Sequence, residues 1–210
     1  MIKILDYGVG NTASILNMIR KVGGKAELCS KPSELDSATA IILPGVGSFD
    51  NAMIKLKNSG LLDVLCSKVL KEKIPFLGIC LGMHLLFERS EEGKLPGLGW
   101  IMGNVVRFNF SGMQPNERFN IPHMGWNVVK PKMYKNLFLG LENEARFYFI
   151  HSYHVNCSNA SDVLATANYG YDFTCSVHHD NIWGLQFHPE KSHRFGFQLF
   201  KNLLNQLDCA

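Results

Sequence analysis

The chain has 210 residues, 46% of them apolar, and a formal net charge of +3, which is enough apolar material for the core of one generous domain. The charge is small and scattered, with no Lys/Arg block and no aromatic–basic interleaving, so nucleic acid is not an expected partner; no apolar run is long enough to span a bilayer, and the N-terminus lacks a signal peptide's apolar stretch and cleavage site. Six cysteines without a C-x-x-C pair argue against a zinc site and a disulfide scaffold, and point to a reducing cytoplasm.

The first half alternates strand and helix. Residues 2–7 form an apolar run ending in a glycine turn. Residues 12–22 carry Ile15, Leu16, Ile19 and Val22 at helical spacing, and Gly23-Gly24 stops them. Residues 26–29 and 38–43 read as strands, the second ending in Pro44-Gly45-Val46-Gly47. Residues 61–71 repeat the helical pattern through Leu61, Leu62, Leu65 and Val69, and a strand follows over 75–79. This order predicts a parallel sheet with helices on both faces.

The second half changes character. Val106, Phe108 and Phe110 alternate with polar residues, as do Phe147 and Phe149. Further strands are expected over 163–167, 173–177 and 182–187, a loop over 111–120, and a turn at Tyr169-Gly170-Tyr171-Asp172. A last helix from about Ser192 places Phe195, Leu199, Leu203 and Leu207 on one face. With no repeat, low-complexity tract or linker, residues 1–210 read as one α/β domain with a mixed, largely parallel sheet.

Chemistry concentrates at Gly78-Ile79-Cys80-Leu81-Gly82. It follows an apolar strand and precedes Met83-His84-Leu85-Leu86-Phe87, which reads as the start of a helix. A nucleophile between two glycines on a strand-to-helix turn is the nucleophile-elbow pattern, here with Cys for Ser. The turn leaves no room for side chains at the flanking positions, and a helix N-terminus beneath the sulfur favours its thiolate. A second apolar run, Trp183-Gly184-Leu185-Gln186-Phe187, ends in His188-Pro189-Glu190. Two residues apart on extended backbone, His188 and Glu190 point the same way. They supply a base and its orienting carboxylate, so Cys80, His188 and Glu190 form a candidate thiol triad.

Two other features compete. Gly8-Val9-Gly10-Asn11-Thr12-Ala13 fits G-x-G-x-x-G/A between a strand and a helix, with Glu27 at the second strand; that is close to a dinucleotide fingerprint and makes an NAD-dependent reductase the rival reading. It leaves Cys80, His188 and Glu190 without a role. His123, His178-His179 and His193 have no zinc-like spacing, and no metal or cofactor is expected.

The elbow, the Pro44–Gly47 loop and the His188-Pro189-Glu190 ending resemble class I (triad) glutamine amidotransferases. Within that class, several stretches resemble the glutaminase subunits of imidazole glycerol phosphate synthases. They are Asp6-Tyr7-Gly8-Val9-Gly10-Asn11, Leu43-Pro44-Gly45-Val46-Gly47, Pro122-His123-Met124-Gly125-Trp126-Asn127, Tyr148-Phe149-Ile150-His151-Ser152-Tyr153 and Gln186-Phe187-His188-Pro189-Glu190. The likeness runs nearly end to end. It implies hydrolysis of glutamine through a Cys80 thioester, with His188 as proton shuttle and Glu190 as its orienter. Backbone N–H groups of Leu81 and of the Val46-Gly47 segment would form the oxyanion hole. Gly45, Gly47, His84, Glu92, His151, Ser152 and Tyr153 would line the glutamine pocket.

His84 departs from the family, which usually has Gln four residues after the nucleophile; a His there has a different reach and can carry charge. The resemblance further implies a (β/α)₈-barrel synthase (cyclase) partner in a heterodimer that receives the ammonia. Gly10, Asn11, Trp126, Asn127 and Tyr148 are the candidate docking residues. Paralogues that feed ammonia to sugar-modifying synthases of surface-polysaccharide pathways share these motifs.

Overall fold

The computed structural model describes residues 1–112, 119–142 and 144–208. Its first half builds the parallel part of the sheet from β1 (Ile2–Leu5), β2 (Ala26–Cys29), β3 (Ala40–Gly45) and β4 (Phe76–Cys80), in the order β2-β1-β3-β4. Every residue of β1, β3 and β4 is buried, which is why they read as unbroken apolar runs rather than alternating ones. α1 (Thr12–Lys21) crosses from β1 to β2 with Ile15, Met18 and Ile19 inward, and Gly23 beyond it turns at φ +92°. α2 (Phe49–Asn58) and α3 (Leu61–Cys66) follow β3, and a wider π turn, Ser67–Lys71, continues α3 to the end of the expected helix. α4 (Leu81–His84), after β4, is a single turn.

The second half adds β5 (Arg89–Ser90), β6 (Gly103–Arg107), β7 (His123–Val128), β8 (Lys130–Pro131), β9 (Arg146–His151), β10 (Tyr153–Cys157), β11 (Val163–Tyr169), β12 (Tyr171–His179) and β13 (Ile182–Leu185), then α5 (His193–Asp208). The main sheet continues β4-β13-β12-β10-β6-β5, with β11 pairing β12 and β8; β7 and β9 form a separate antiparallel pair. β13 runs parallel to β4, whereas its other neighbour β12 is antiparallel. The architecture is therefore a mixed α/β sheet with a parallel centre. The β11–β12 hairpin turns at Gly170 (φ +76°), as its sequence predicts. Of the expected 111–120 loop, residues 113–118 lie outside the described residues, as does Cys209.

The core divides by face. Alternate residues of β1 send Ile4 to a cluster with Ile15, Ile19, Leu199 and Phe200 of α1 and α5, and Leu5 to a cluster with Phe49, Leu56, Leu61 and Leu65 of α2 and α3. The register aligns Gly45 with Cys80 on one side of β4 and Leu185 with Ile79 on the other. Three loops therefore meet at the C-terminal edge of the parallel strands, the usual place for a ligand in open α/β sheets. The Gly8–Ala13 loop packs against this edge. A Cβ at Gly10 (φ +115°) would lie 3.0 Å from the Pro44 side chain, and the Gly8 carbonyl accepts from Lys55 Nζ at 2.8 Å. Glu27 is held by Lys3 Nζ at 2.8 Å. The glycines of the apparent fingerprint thus have a packing role beside β3.

Candidate active site

The elbow is built by close backbone contact. A Cβ at Gly78 would come within 2.6 Å of the Gly82 carbonyl oxygen, and one at Gly82 would overlap the Leu43 carbonyl oxygen of β3. Cys80 itself takes φ +55°, ψ −111°, a strained conformation for a residue with a side chain, costing on the order of 1–3 kcal/mol. Leu85, Leu86 and Phe87 do not continue the helix. All three are fully buried, and the backbone N–H groups of Leu86 and Phe87 bond to Met83 and His84, three residues back. One turn aligns few peptide dipoles, so the helix end beneath the sulfur is weaker than the sequence implies.

His188 and Glu190 also differ from the extended backbone expected for them. Pro189 opens a one-turn 3₁₀ segment, Pro189–Lys191, which swings Glu190 round behind the imidazole. Ser192 clamps the turn: its hydroxyl donates to the His188 carbonyl at 2.6 Å and accepts from the Tyr148 N–H at 3.0 Å. His188 Nδ1 lies 2.8 Å from Glu190 Oε1, with both side chains buried. Burial alone would depress the imidazole, but Cys80 and Glu190 outweigh it and hold His188 up at about 10. At neutral pH it therefore keeps a proton on both nitrogens, one facing the carboxylate and one free to move toward the sulfur side.

A cavity of about 360 Å³ opens over this group, within the range of small-molecule sites. It is lined by Cys80, His188, Val46, Gly47, Leu81, His84, Glu92, His151, Ser152 and Tyr153, all expected, and by Pro122, Ile150 and Lys191, which sequence reasoning missed. Two expected residues stand back from it. Glu190 lies behind His188, and Gly45 sits in the β3–β4 ladder, where a Cβ would be 2.8 Å from Gly82 N. Glu92 is also engaged elsewhere, since its Oε2 accepts the Phe49 N–H at 3.1 Å, at the start of α2. Burial, with help from Asp50, raises the Glu92 pKa.

His84 is not the charged group its type allows. Burial holds it down to about 4, and its Nε2 is engaged by Gln186 Oε1 at 2.8 Å. It belongs to a set of four buried imidazoles. His151 donates from Nδ1 to the Tyr153 carbonyl (2.8 Å), so its Nε2 accepts from His123 Nδ1 (3.0 Å). Burial lowers His123 to about 4, takes His151 well below the ordinary value and lowers His154 as well. All four are neutral in the folded chain near neutrality but take up protons near pH 6.5 when unfolded.

Below pH 6.5 the unfolded state therefore binds more protons, and stability falls by up to about 1.4 kcal/mol per pH unit for each such group. His188 acts in the opposite sense: its contribution is complete below pH 6.5 and fades as pH rises toward 10. Thermal melts should show maximal Tm near pH 6.5–7 and a steep fall toward pH 4.5; a flat profile over that acid limb would contradict the neutral cluster.

The expected docking residues divide. Trp126 is 47% exposed and stacks on His193 at 5.4 Å, so it is not a core aromatic. Tyr148 is half-buried, 6.1 Å from the Trp126 ring, with Lys191 Nζ 5.6 Å above it. Gly10 and Asn11 are half-buried at the same edge. Asn127 turns inward, donating to the Asn168 carbonyl at 2.7 Å and accepting the Val128 N–H at 2.8 Å. Ile121, Met124 and Ile150 are exposed with Trp126, giving an apolar patch beside the cavity mouth.

A buried Cys on a strained elbow, a His–carboxylate pair and a cavity at the edge of a parallel sheet are the parts of a thiol amidotransferase. The family model for Glutamine amidotransferase class-I matches residues 3–206, and the chain belongs to that family. Among relatives, it is 52% identical over 206 residues to the Imidazole glycerol phosphate synthase subunit HisH 2 of Methanococcus maripaludis, covering 98% of this chain and 100% of that one. It is 51% identical to subunit HisH of Bdellovibrio bacteriovorus over 203 residues (96% and 98%) and 50% identical to that of Leptospira interrogans over 202 (96% and 98%). Among solved structures, PurLQS from Thermotoga maritima superposes with a TM-score of 0.70 at 18% identity, covering 98% of each chain; at that identity the likeness is one of fold. The dinucleotide-binding reading of the Gly8–Ala13 loop falls with these findings.

Proposed function

We propose that the chain is the glutaminase subunit of an imidazole glycerol phosphate synthase, hydrolysing L-glutamine through Cys80 and delivering the ammonia to a synthase subunit in histidine biosynthesis. The observation that carries the reading is His188, paired with Glu190 and lining one cavity with Cys80; the names of relatives near 50% identity supply the pathway.

The sulfur of Cys80 bonds to the carboxamide carbon of glutamine, and the carbonyl electrons move onto oxygen. The oxyanion sits against the N–H groups of Leu81 and of the Val46–Gly47 segment, each such donor contributing about 3–4 kcal/mol. His188 gives its Nε2 proton to the amine as the C–N bond breaks, and ammonia leaves. The neutral imidazole then takes a proton from water, whose oxygen cleaves the thioester. Glutamate departs, and the sulfur and imidazole regain their starting states. Glu190 keeps the imidazole oriented and favours its charged form.

Ammonia released into water would be protonated and lose its lone pair, so a partner must cover the outlet. The patch of Met124, Trp126, Ile121 and Ile150 beside the cavity mouth suits a (β/α)₈-barrel cyclase in a heterodimer, since aromatic and Met side chains favour interface cores. Among the described residues no helix is long and apolar enough to cross a membrane, and a cytoplasmic location follows from the pathway. Treatment with a glutamine-analogue electrophile should label Cys80 by mass mapping. Glutaminase activity should rise steeply when the barrel subunit and its ribonucleotide substrate are added. Labelling elsewhere would refute the site. Activation by a sugar-modifying synthase instead would reassign the acceptor.

A further inference from the structure

We propose that Gln186 is a further residue of the nucleophile's site: its carboxamide, oriented by His84, presents its NH₂ to Cys80 Sγ and steadies the charged sulfur before attack. This deepens the reading of Cys80 as nucleophile and rests on it.

Gln186 follows β13 and is wholly buried, its backbone N–H still bonded to the Cys175 carbonyl at 2.9 Å. Its Oε1 is 2.8 Å from His84 Nε2, and its Nε2 is 4.0 Å from Cys80 Sγ. A buried NH₂ needs an acceptor, and the sulfur is the one its nitrogen reaches among the described residues. The arrangement is directional. His84 is buried and neutral, so it carries one N–H; with that proton on Nε2 it donates to Oε1 and leaves the NH₂ for sulfur. The opposite rotation would set Oε1 against the sulfur and repel a thiolate. His84 is fixed on the single turn of α4 that follows Cys80, and Gln186 lies two residues before His188, so the two chain segments that flank the sulfur also carry its orienting pair.

The other titratable groups around Cys80 are accounted for. His188, which follows β13 and has Glu190 behind it, lines the same cavity as Cys80. Tyr7, after β1, feels Cys80 but commits its hydroxyl to the Pro44 carbonyl at 2.9 Å. His151 and His154 lie near His84 and are also lowered by burial. Gln186 is thus an uncharged donor with an N–H left for the sulfur, and at 4.0 Å a weak one until charge develops on sulfur.

The test is the pH dependence of Cys80 alkylation by iodoacetamide in the full chain, mapped by mass, together with glutamine turnover in complex with the synthase subunit. Gln186→Leu should move the alkylation midpoint to higher pH and lower kcat near neutrality by about tenfold, the low end for a hydrogen bond to a charged group. KM should stay within about twofold, and the loss should shrink at higher pH. His84→Leu should shift the midpoint in the same direction and His84→Gln, which still offers an N–H, by less. An unchanged midpoint in Gln186→Leu, with wild-type Cys80 labelled and glutamine turned over, would overturn the proposal while leaving the glutaminase reading intact. Wild-type protein that neither labels at Cys80 nor hydrolyses glutamine would overturn the reading itself. Should Gln186→Leu not fold, the side-chain amide signal of Gln186 in wild-type NMR spectra decides: it must move when Cys80 is alkylated, and a fixed signal refutes the contact.

Discussion

His188→Asn should lower glutamine hydrolysis by about 10⁴-fold or more, with KM changed far less than kcat. The imidazole pairs with Glu190 and lines the cavity beside Cys80, and the proposed mechanism gives it two proton transfers: toward the departing amine and from the incoming water. Asn fills similar space, but it cannot carry a proton between these steps. Glu190→Gln should cost less, because the ring remains and only its orientation and charge are weakened. Its signature is a drop in the His188 pKa from about 10, visible as loss of the imidazolium signal at pH 8 by NMR. Turnover of His188→Asn within tenfold of wild type would mean that another base serves Cys80.

The parts legible in sequence are those where one local rule dominates. β1, β3 and β4 are buried on both faces, so each is an apolar run that any reading finds. The elbow announces itself because its glycines are forced by backbone contact. α2 went unmarked: Phe49, Ala52 and Leu56 hold helical spacing on its buried face, but the stripe is only three residues long and one of them is Ala, a weak apolar signal. The Met83–Phe87 stretch misled in the other direction. Met83 and His84 do belong to α4, but Leu85, Leu86 and Phe87, apolar in a row, form a buried turn after it instead of continuing the helix.

At the site, Cys80, His188 and Glu190 could be named because each chemistry demands its residue type, whereas Gln186 and Lys191 carry types common in any strand end or turn. One clue to Gln186 was available: a polar residue two before His188, in a run otherwise apolar, shares that residue's side of the chain. Its partner His84 could be noticed only as a departure from a family pattern. That its charge is suppressed is a property of burial, which no residue type records.

Gly82→Ala should prevent the elbow from closing. The added methyl would overlap the Leu43 carbonyl oxygen and lie 2.9 Å from the Leu43 carbonyl carbon, and both are backbone atoms of the central strand β3. A flexible side chain could yield; a strand paired on both sides cannot, since β3 lies between β1 and β4. The methyl must therefore push α4 off the sheet, carrying the Leu81 N–H and the Cys80 sulfur with it. Overpacking of this kind costs about 1–3 kcal/mol and sometimes more, and at roughly 2–4 °C per kcal/mol for a chain of this size Tm should fall by about 2–12 °C, with hydrolysis lost. Gly47→Ala is the matched comparison, because nothing lies within 4 Å of a Cβ there. Its φ of +96° makes alanine strained, by about 1–2 kcal/mol, but the strain sits in an exposed loop, so the melt should shift by only a few degrees while the oxyanion segment is disturbed. Equal melting temperatures for wild type and Gly82→Ala would show that β3 and α4 are not in backbone contact, and the geometry assigned to the nucleophile would fail with them.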